Sequence, residues 1–272
     1  MRNKKIILFR FYSEYETCLE RIKIWKYLNP EIPIYALFGG EKSQWKYVKS
    51  IFSSSPIENI YIIDSDDKYW KWLHADQTLL EWYVLHGNKV KFDYLFDVEW
   101  DLLPIASINK IYKSLPSDKE ISLTGLQDFG KVKSGWKWVT GQKYKDNYLD
   151  FEKYIKDEFN IKKLLFASLG SGHIFTPNFI EEFSQLYLNP KIINPIISEL
   201  IYPLATQILK YNILDTGLHP GWFKKQASVK YFNCWSIPIK KNIILDERSK
   251  INGRKIFHPV KYQFFLNEIL LD

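Results

Sequence analysis

What most constrains this chain is an alternation in its first hundred residues, where four short apolar runs are separated by stretches of helical periodicity. Residues 6–11 are apolar apart from Arg10, as a strand buried on both faces requires. Behind them Cys18, Ile22 and Trp25 recur on one helical face, Ser13 and Glu16 have the spacing of a capping box, and Asn29-Pro30 stops the helix. Residues 32–38 form a second run ending at Gly39-Gly40, and Trp45, Val48 and Phe52 mark a second helix. A third run, 60–63, ends in Asp64-Ser65-Asp66-Asp67. The spacing then predicts a helix over 73–86, with Leu80, Tyr83 and Val84 inward and Gly87 just past its end. The fourth run, 92–96, leads into Asp97-Val98-Glu99-Trp100-Asp101. Strands separated by helices cannot pair as hairpins, so the predicted class is α/β: a mainly parallel central sheet flanked by helices.

The second half is less regular. A strand is expected over 121–126 and another over 171–175, leading into a helix near Phe179. Residues 130–148, rich in Gly, Lys and Trp, read as an irregular, mobile loop beside a site. Asn194-Pro195 opens a helix carrying Ile197, Leu200, Ile201, Leu204 and Ile208 inward, with a kink expected at Pro203. No internal repeat or linker interrupts the chain, which reads as one unit over 1–272 with regular (about 1–105) and softer (about 106–272) halves.

Composition narrows the class further. With 46% hydrophobic and 25% charged residues, the chain is neither disordered nor fibrous. It has no run near the roughly 18 apolar residues of a spanning helix. Its basic-then-apolar start lacks a long apolar region and a cleavage site, and reads as a buried strand. Cys18 and Cys234 are far apart and read as reduced core residues, so the expected compartment is the cytoplasm. Thirty-eight basic against thirty-one acidic residues give +7, which suits nucleic acid, anionic lipid or a phosphorylated small substrate, and the scattered lysines argue against nucleic acid.

Open α/β sheets bind ligands at the carboxyl ends of their strands, where this chain carries Arg10 and Tyr12, Gly39-Gly40, 64–67 and 97–101. Glu99 and Asp101 are two apart, so in an extended chain both carboxylates face one way and can grip Mg²⁺ or Mn²⁺ beside substrate phosphates. Asp64 suits the nucleotide side, accepting from ribose hydroxyls or base N–H groups, and Arg10 and Tyr12 can reach the base or diphosphate.

This segment, FDYLFDVEWDLLP, resembles the D-x-D region of GT-A-fold glycosyltransferases, in which an apolar strand ends in acid-x-acid before a short apolar turn. The helix ahead of it and Phe92-Asp93-Tyr94 are similar too, so the resemblance covers about residues 4–105 in architecture. Here the first acid is Glu rather than Asp. The resemblance implies a GT-A-like fold: a Rossmann-like half for the nucleotide sugar and a second half for the acceptor. It implies transfer of a sugar from a nucleotide-diphosphate donor to a hydroxyl acceptor, assisted by Mn²⁺ or Mg²⁺. His258 and Lys261 look similar to a late histidine that joins the acids on the metal and a lysine that meets the diphosphate. Glu199, near a helix start, is the implied base, with Asp128 its competitor. The acceptor, a glycan or lipid-linked glycan of bacterial surface synthesis, would lie near Trp136 and Trp138, with peripheral contact at the inner membrane.

Two other classes stay open on the residues alone: an inactive relative that binds carbohydrate or nucleotide, and a basic nucleic-acid-binding protein. P-loop, H-E-x-x-H and G-x-S-x-G patterns do not occur. The first turn, Phe11-Tyr12-Ser13-Glu14, lacks the glycines a sugar-nucleotide pyrophosphorylase would need.

Overall fold

A computed structural model describes residues 3–65, 67–219, 230–234 and 237–270. Asp66 of the acidic run therefore lies outside the described residues. The strands among them are β1 (Lys5–Phe11), β2 (Ile34–Phe38), β3 (Asn59–Ile62), β4 (Tyr94–Glu99), β5 (Leu103–Pro104), β6 (Glu120–Leu123), β7 (Gln127–Asp128), β8 (Phe166–Ala167), β9 (His173–Phe175), β10 (Asn212–Asp215) and β11 (Ile256–Phe257). Seven of them form one sheet in the order β10-β6-β9-β4-β1-β2-β3. Pairing is parallel throughout except at β9, which runs antiparallel to both neighbours. The class is thus mixed α/β with a mainly parallel sheet, as the sequence pattern requires.

The first strand shows why. After Lys5 every residue of β1 is buried, and its side chains alternate between two cores. Ile6 and Leu8 join Leu79 and Trp82 of the helix over Ala75–Leu85 on one face, while Ile7, Phe9 and Phe11 meet Cys18, Ile22 and Trp25 of the helix over Tyr15–Leu28 on the other. Here α1 is Tyr15–Leu28, α2 is Trp45–Phe52, α3 is Lys68–Leu73 and α4 is Ala75–Leu85. Because β1 lies between β2 and β4, the loops leaving β1 and β4 diverge and open a crevice at their carboxyl ends.

Several elements differ from expectation for identifiable reasons. Ser13 and Glu16 do not form a capping box: Glu14 sits in the left-handed region (φ 55) and the helix starts at Tyr15 without a side-chain cap. A separate helix, α3, capped by Asp67, whose Oδ1 accepts from the N–H groups of Tyr69 and Trp70, ends at His74, and the helix predicted over 73–86 follows it as α4 over Ala75–Leu85. Its inward face is also rotated, since Leu79, Trp82 and Tyr83 are buried while Val84 is 53% exposed. Gly87 follows it because a Cβ there would lie 2.6 Å from the Trp82 ring. The helix expected from Asn194 starts at Ser198 and runs through Pro203 to Leu209.

The largest correction concerns residues 130–148. They form short helices over Phe129–Val132 and Lys137–Thr140 and the start of Lys145–Phe159, not an irregular loop. Phe129, Val132, Trp136 and Val139 recur at helical spacing and are all buried, so core packing orders the segment. Among the described residues no helix is long and apolar enough to cross a membrane.

Candidate active site

The site begins at the end of β4. Strand parity puts Asp97 and Glu99 on one face, in register beside Leu8 and Arg10 of β1. The backbone then turns: Trp100 N–H donates to Arg10 O (3.0 Å) and Leu102 N–H to Glu99 O (3.0 Å), which presents Asp101 next to Glu99. Ser171 Oγ accepts from the Glu99 N–H at 2.7 Å and fixes the strand end.

The carboxy-terminal segment completes the cluster. β11 pairs antiparallel with β5, and Val260 N–H donates to Asp101 O at 2.7 Å, which lays His258 against the acids. Its Nδ1 lies 2.7 Å from the carbonyl oxygen of Asn233, so that nitrogen carries the proton and Nε2 faces the carboxylates. Nε2 is 3.3 Å from Asp101 Oδ1 and 3.8 Å from Glu99 Oε2. One ligand atom from each of Glu99, Asp101 and His258 lies within 4.8 Å of the others. Asp101 Oδ1 is buried beside the His258 imidazole without a well-directed hydrogen bond among the described residues, and a divalent cation between these side chains would satisfy it. The donor set of two carboxylates and one imidazole therefore fits Mn²⁺ or Mg²⁺, Mn²⁺ better because imidazole is the softer ligand.

Electrostatics hold the cluster in its charged form. Burial opposes ionisation of Glu99, but Arg10 and His258 overcome it and bring its carboxyl down to about 2. Burial likewise disfavours the His258 cation, yet Asp101 and Glu99 raise the imidazole to about 10. Divalent metal bound at Nε2 would displace that proton.

Arg10 does not face free solvent for a diphosphate. Its Nε and Nη2 lie 2.6 and 3.0 Å from the two oxygens of fully buried Asp97, and Nη1 lies 3.2 Å from Glu99 Oε1. It is a strut beneath the acids, and Asp97 is the partner that sequence reading missed. The signal was present, because Asp97, Glu99 and Asp101 share one parity and three like charges need a cation.

Seven of the nine sequence-predicted residues line one cavity of about 180 Å³: Arg10, Tyr12, Glu99, Asp101, Glu199, His258 and Lys261. Glu199 stands in the first turn of its helix and accepts from the Gly170 N–H at 3.3 Å. Burial raises its carboxyl to about 8. Burial, then Glu99 and Asp101, raises the Tyr12 hydroxyl well above its ordinary value, so it stays a neutral donor.

The other two lie elsewhere. Asp64 is at the end of β3, exposed and paired with Lys42 at 2.9 Å, which holds its carboxyl below the usual range. Asp128 is on the surface, capping the helix at Phe129 by accepting from the Gly130 N–H at 2.9 Å, and does not line the cavity. Trp136 is buried in the core and offers no open ring, whereas Trp138 is half-buried. Lys71 was not anticipated: it is buried, donates to Gly40 O at 2.9 Å and lines a small recess with Arg10 and Tyr12. A helical lysine gives no sequence sign that it points at a strand end. Both cysteines are free; Cys18 is buried in the core and Cys234 is half-buried at the cavity wall.

No family model matches the chain, and no curated protein sequence matches it. Among solved structures it is similar to the galactosyltransferase LgtC in complex with donor and acceptor sugar analogues, with TM-score 0.43 and 12% identity over 77% of this chain and 72% of that one. It is also similar to the bifunctional glycosyltransferase WbbM without ligand, with TM-score 0.44 and 9% identity over 80% of this chain. The match spans 40% of the WbbM chain.

Proposed function

We propose that this chain is a metal-assisted glycosyltransferase of GT-A-like fold, moving a sugar from a nucleotide-diphosphate donor to a hydroxyl acceptor in bacterial surface glycan synthesis. One observation carries the reading: Glu99, Asp101 and His258 converge within 4.8 Å at the carboxyl end of a central parallel strand, on the wall of a cavity that Glu199 and Lys261 also line. Glu99, Asp101 and His258 would hold Mn²⁺ or Mg²⁺, which when bound supplies Lewis-acid stabilisation of the departing diphosphate. Lys261 adds a second positive charge for that leaving group. Glu199 takes the acceptor proton as the new C–O bond forms and the bond from the sugar's anomeric carbon to the phosphate oxygen breaks, so the proton stays on the enzyme and the nucleoside diphosphate leaves. Tyr12 and the recess by Lys71 serve the nucleotide side, and Asp64, one residue past the Ile63 that lines this recess, accepts from the ribose.

A second reading has its own support. Arg10–Glu99 at 3.2 Å and His258–Asp101 at 3.3 Å already pair these charges, as a metal-free binding module would. Thermal unfolding against a panel of nucleotides and nucleotide sugars, each with Mn²⁺ and with EDTA, separates the two. A native-state ligand raises the midpoint by mass action. A shift that needs Mn²⁺, together with release of sugar from the donor, supports the transferase. An equal shift in EDTA without donor hydrolysis assigns the module, and no shift with any diphosphate defeats the transferase and leaves a non-catalytic module.

A further inference from the structure

The rim of the cavity bears on the acceptor. Trp72, at the end of α3, lines the cavity and is 37% exposed. Its ring centroid is 5.7 Å from that of Tyr69, itself 50% exposed, and 6.4 Å from that of Trp138. Trp138 in turn lies 4.6 Å from Tyr144. Four rings thus form one continuous surface leading out of the cavity, and two exposed lysines stand over it. Lys137 Nζ is 5.0 Å from the Trp138 ring, and Lys143 Nζ is 5.5 and 6.0 Å from those of Tyr144 and Tyr69. Lys137 is also near enough to favour the Glu199 carboxylate, which ties the surface to the proposed base.

The chemistry of that surface is specific. Exposed indole and phenol faces are unfavourable in water at about 25 cal/mol per Å², and they suit the apolar C–H face of a pyranose. The lysines add a positive border. Of the acids near it, Glu199 lines the same cavity, and Asp67 has its Oδ1 engaged by the backbone N–H groups of Tyr69 and Trp70.

We infer that the Trp72–Trp138 rim is a saccharide subsite for an acidic sugar, a pyranose carrying a carboxylate or phosphate that Lys137 and Lys143 meet. Calling that sugar the acceptor rests on the transferase reading; its binding does not.

The test is an array of oligosaccharides in which each acidic chain is paired with its neutral parent: uronic-acid chains with their carboxyl-reduced forms, and phosphosugars with their dephosphorylated forms. The expected result is a preference of about tenfold for the acidic member, fading with salt, and the arm that shows it identifies the anion. Lys137→Ala with Lys143→Ala should erase that preference and leave neutral binding. Trp72→Ala and Tyr69→Ala should each weaken all binding about tenfold, and Trp72→Phe should retain most of it. Equal affinity for acidic and neutral chains, or binding indifferent to Trp72 and Tyr69, overturns the inference. Absence of saccharide binding in a protein that still binds a diphosphate with Mn²⁺ overturns it alone. The expected saccharide binding in a protein that binds no diphosphate upholds the subsite and removes the transferase.

Discussion

Replacing Arg10 by Met tests how the acids are held. Asp97 has no exposed surface, and both its oxygens are paired to the guanidinium at 2.6 and 3.0 Å. Burial alone pushes its carboxyl above the usual range, and Arg10 only partly offsets this. Removing one partner of such a pair leaves a desolvated charge and costs about 3–5 kcal/mol, whereas removing both is near neutral. Arg10→Met should therefore lower the unfolding free energy by that amount, equivalent to a fall in Tm on the order of 10 °C for a chain of this size. Arg10→Met combined with Asp97→Leu should regain most of the loss. Urea unfolding of wild type, both single variants and the double variant, followed by tryptophan fluorescence, gives the coupling. A single variant as stable as wild type, or a double variant no more stable than Arg10→Met, would refute the strut assignment.

If Glu199 is the base, transfer should rise with pH as its carboxyl ionises, with a limb centred near about 8, and Glu199→Gln should flatten that limb and lower kcat about a hundredfold or more. The same elevation has a stability sign: the unfolded chain ionises this group at lower pH than the folded one, so folding weakens as pH rises from the ordinary carboxylate range to about 8, and Glu199→Gln removes that slope in urea titrations. Asp128→Ala should cost about 1 kcal/mol through its lost cap and leave turnover unchanged; a collapse of turnover with the fold intact would return the base to Asp128.

Much of the site was legible because strand parity is rigid. A run broken only by Arg10, and acids at 97, 99 and 101, fix which side chains share a face once the strands are placed. What parity cannot supply is register across strands, so the acids' need for a cation does not by itself single out Arg10, whose pairing with Asp97 comes from β1 lying beside β4. His258 was legible by type and position, but its approach to Asp101 depends on the β5–β11 pairing, a contact more than 150 residues long in sequence. The 130–148 segment misled because its glycines and lysines masked a helical recurrence of Phe129, Val132, Trp136 and Val139. Val84, exposed although apolar, reads as inward because Leu79, Leu80 and 82–85 are nearly continuous in apolar residues, so periodicity alone does not single out the stripe of Leu79, Trp82 and Tyr83 that is buried.

The most direct measurement is anomalous diffraction at the manganese edge from crystals grown with Mn²⁺ and a nucleoside diphosphate. The expected result is one strong peak between Glu99, Asp101 and His258, with diphosphate oxygens on its open side toward Lys261, and no peak there in Asp101→Asn. A diphosphate bound in the cavity without metal, or manganese bound elsewhere with these three side chains still paired to one another, would contradict the metal-assisted site.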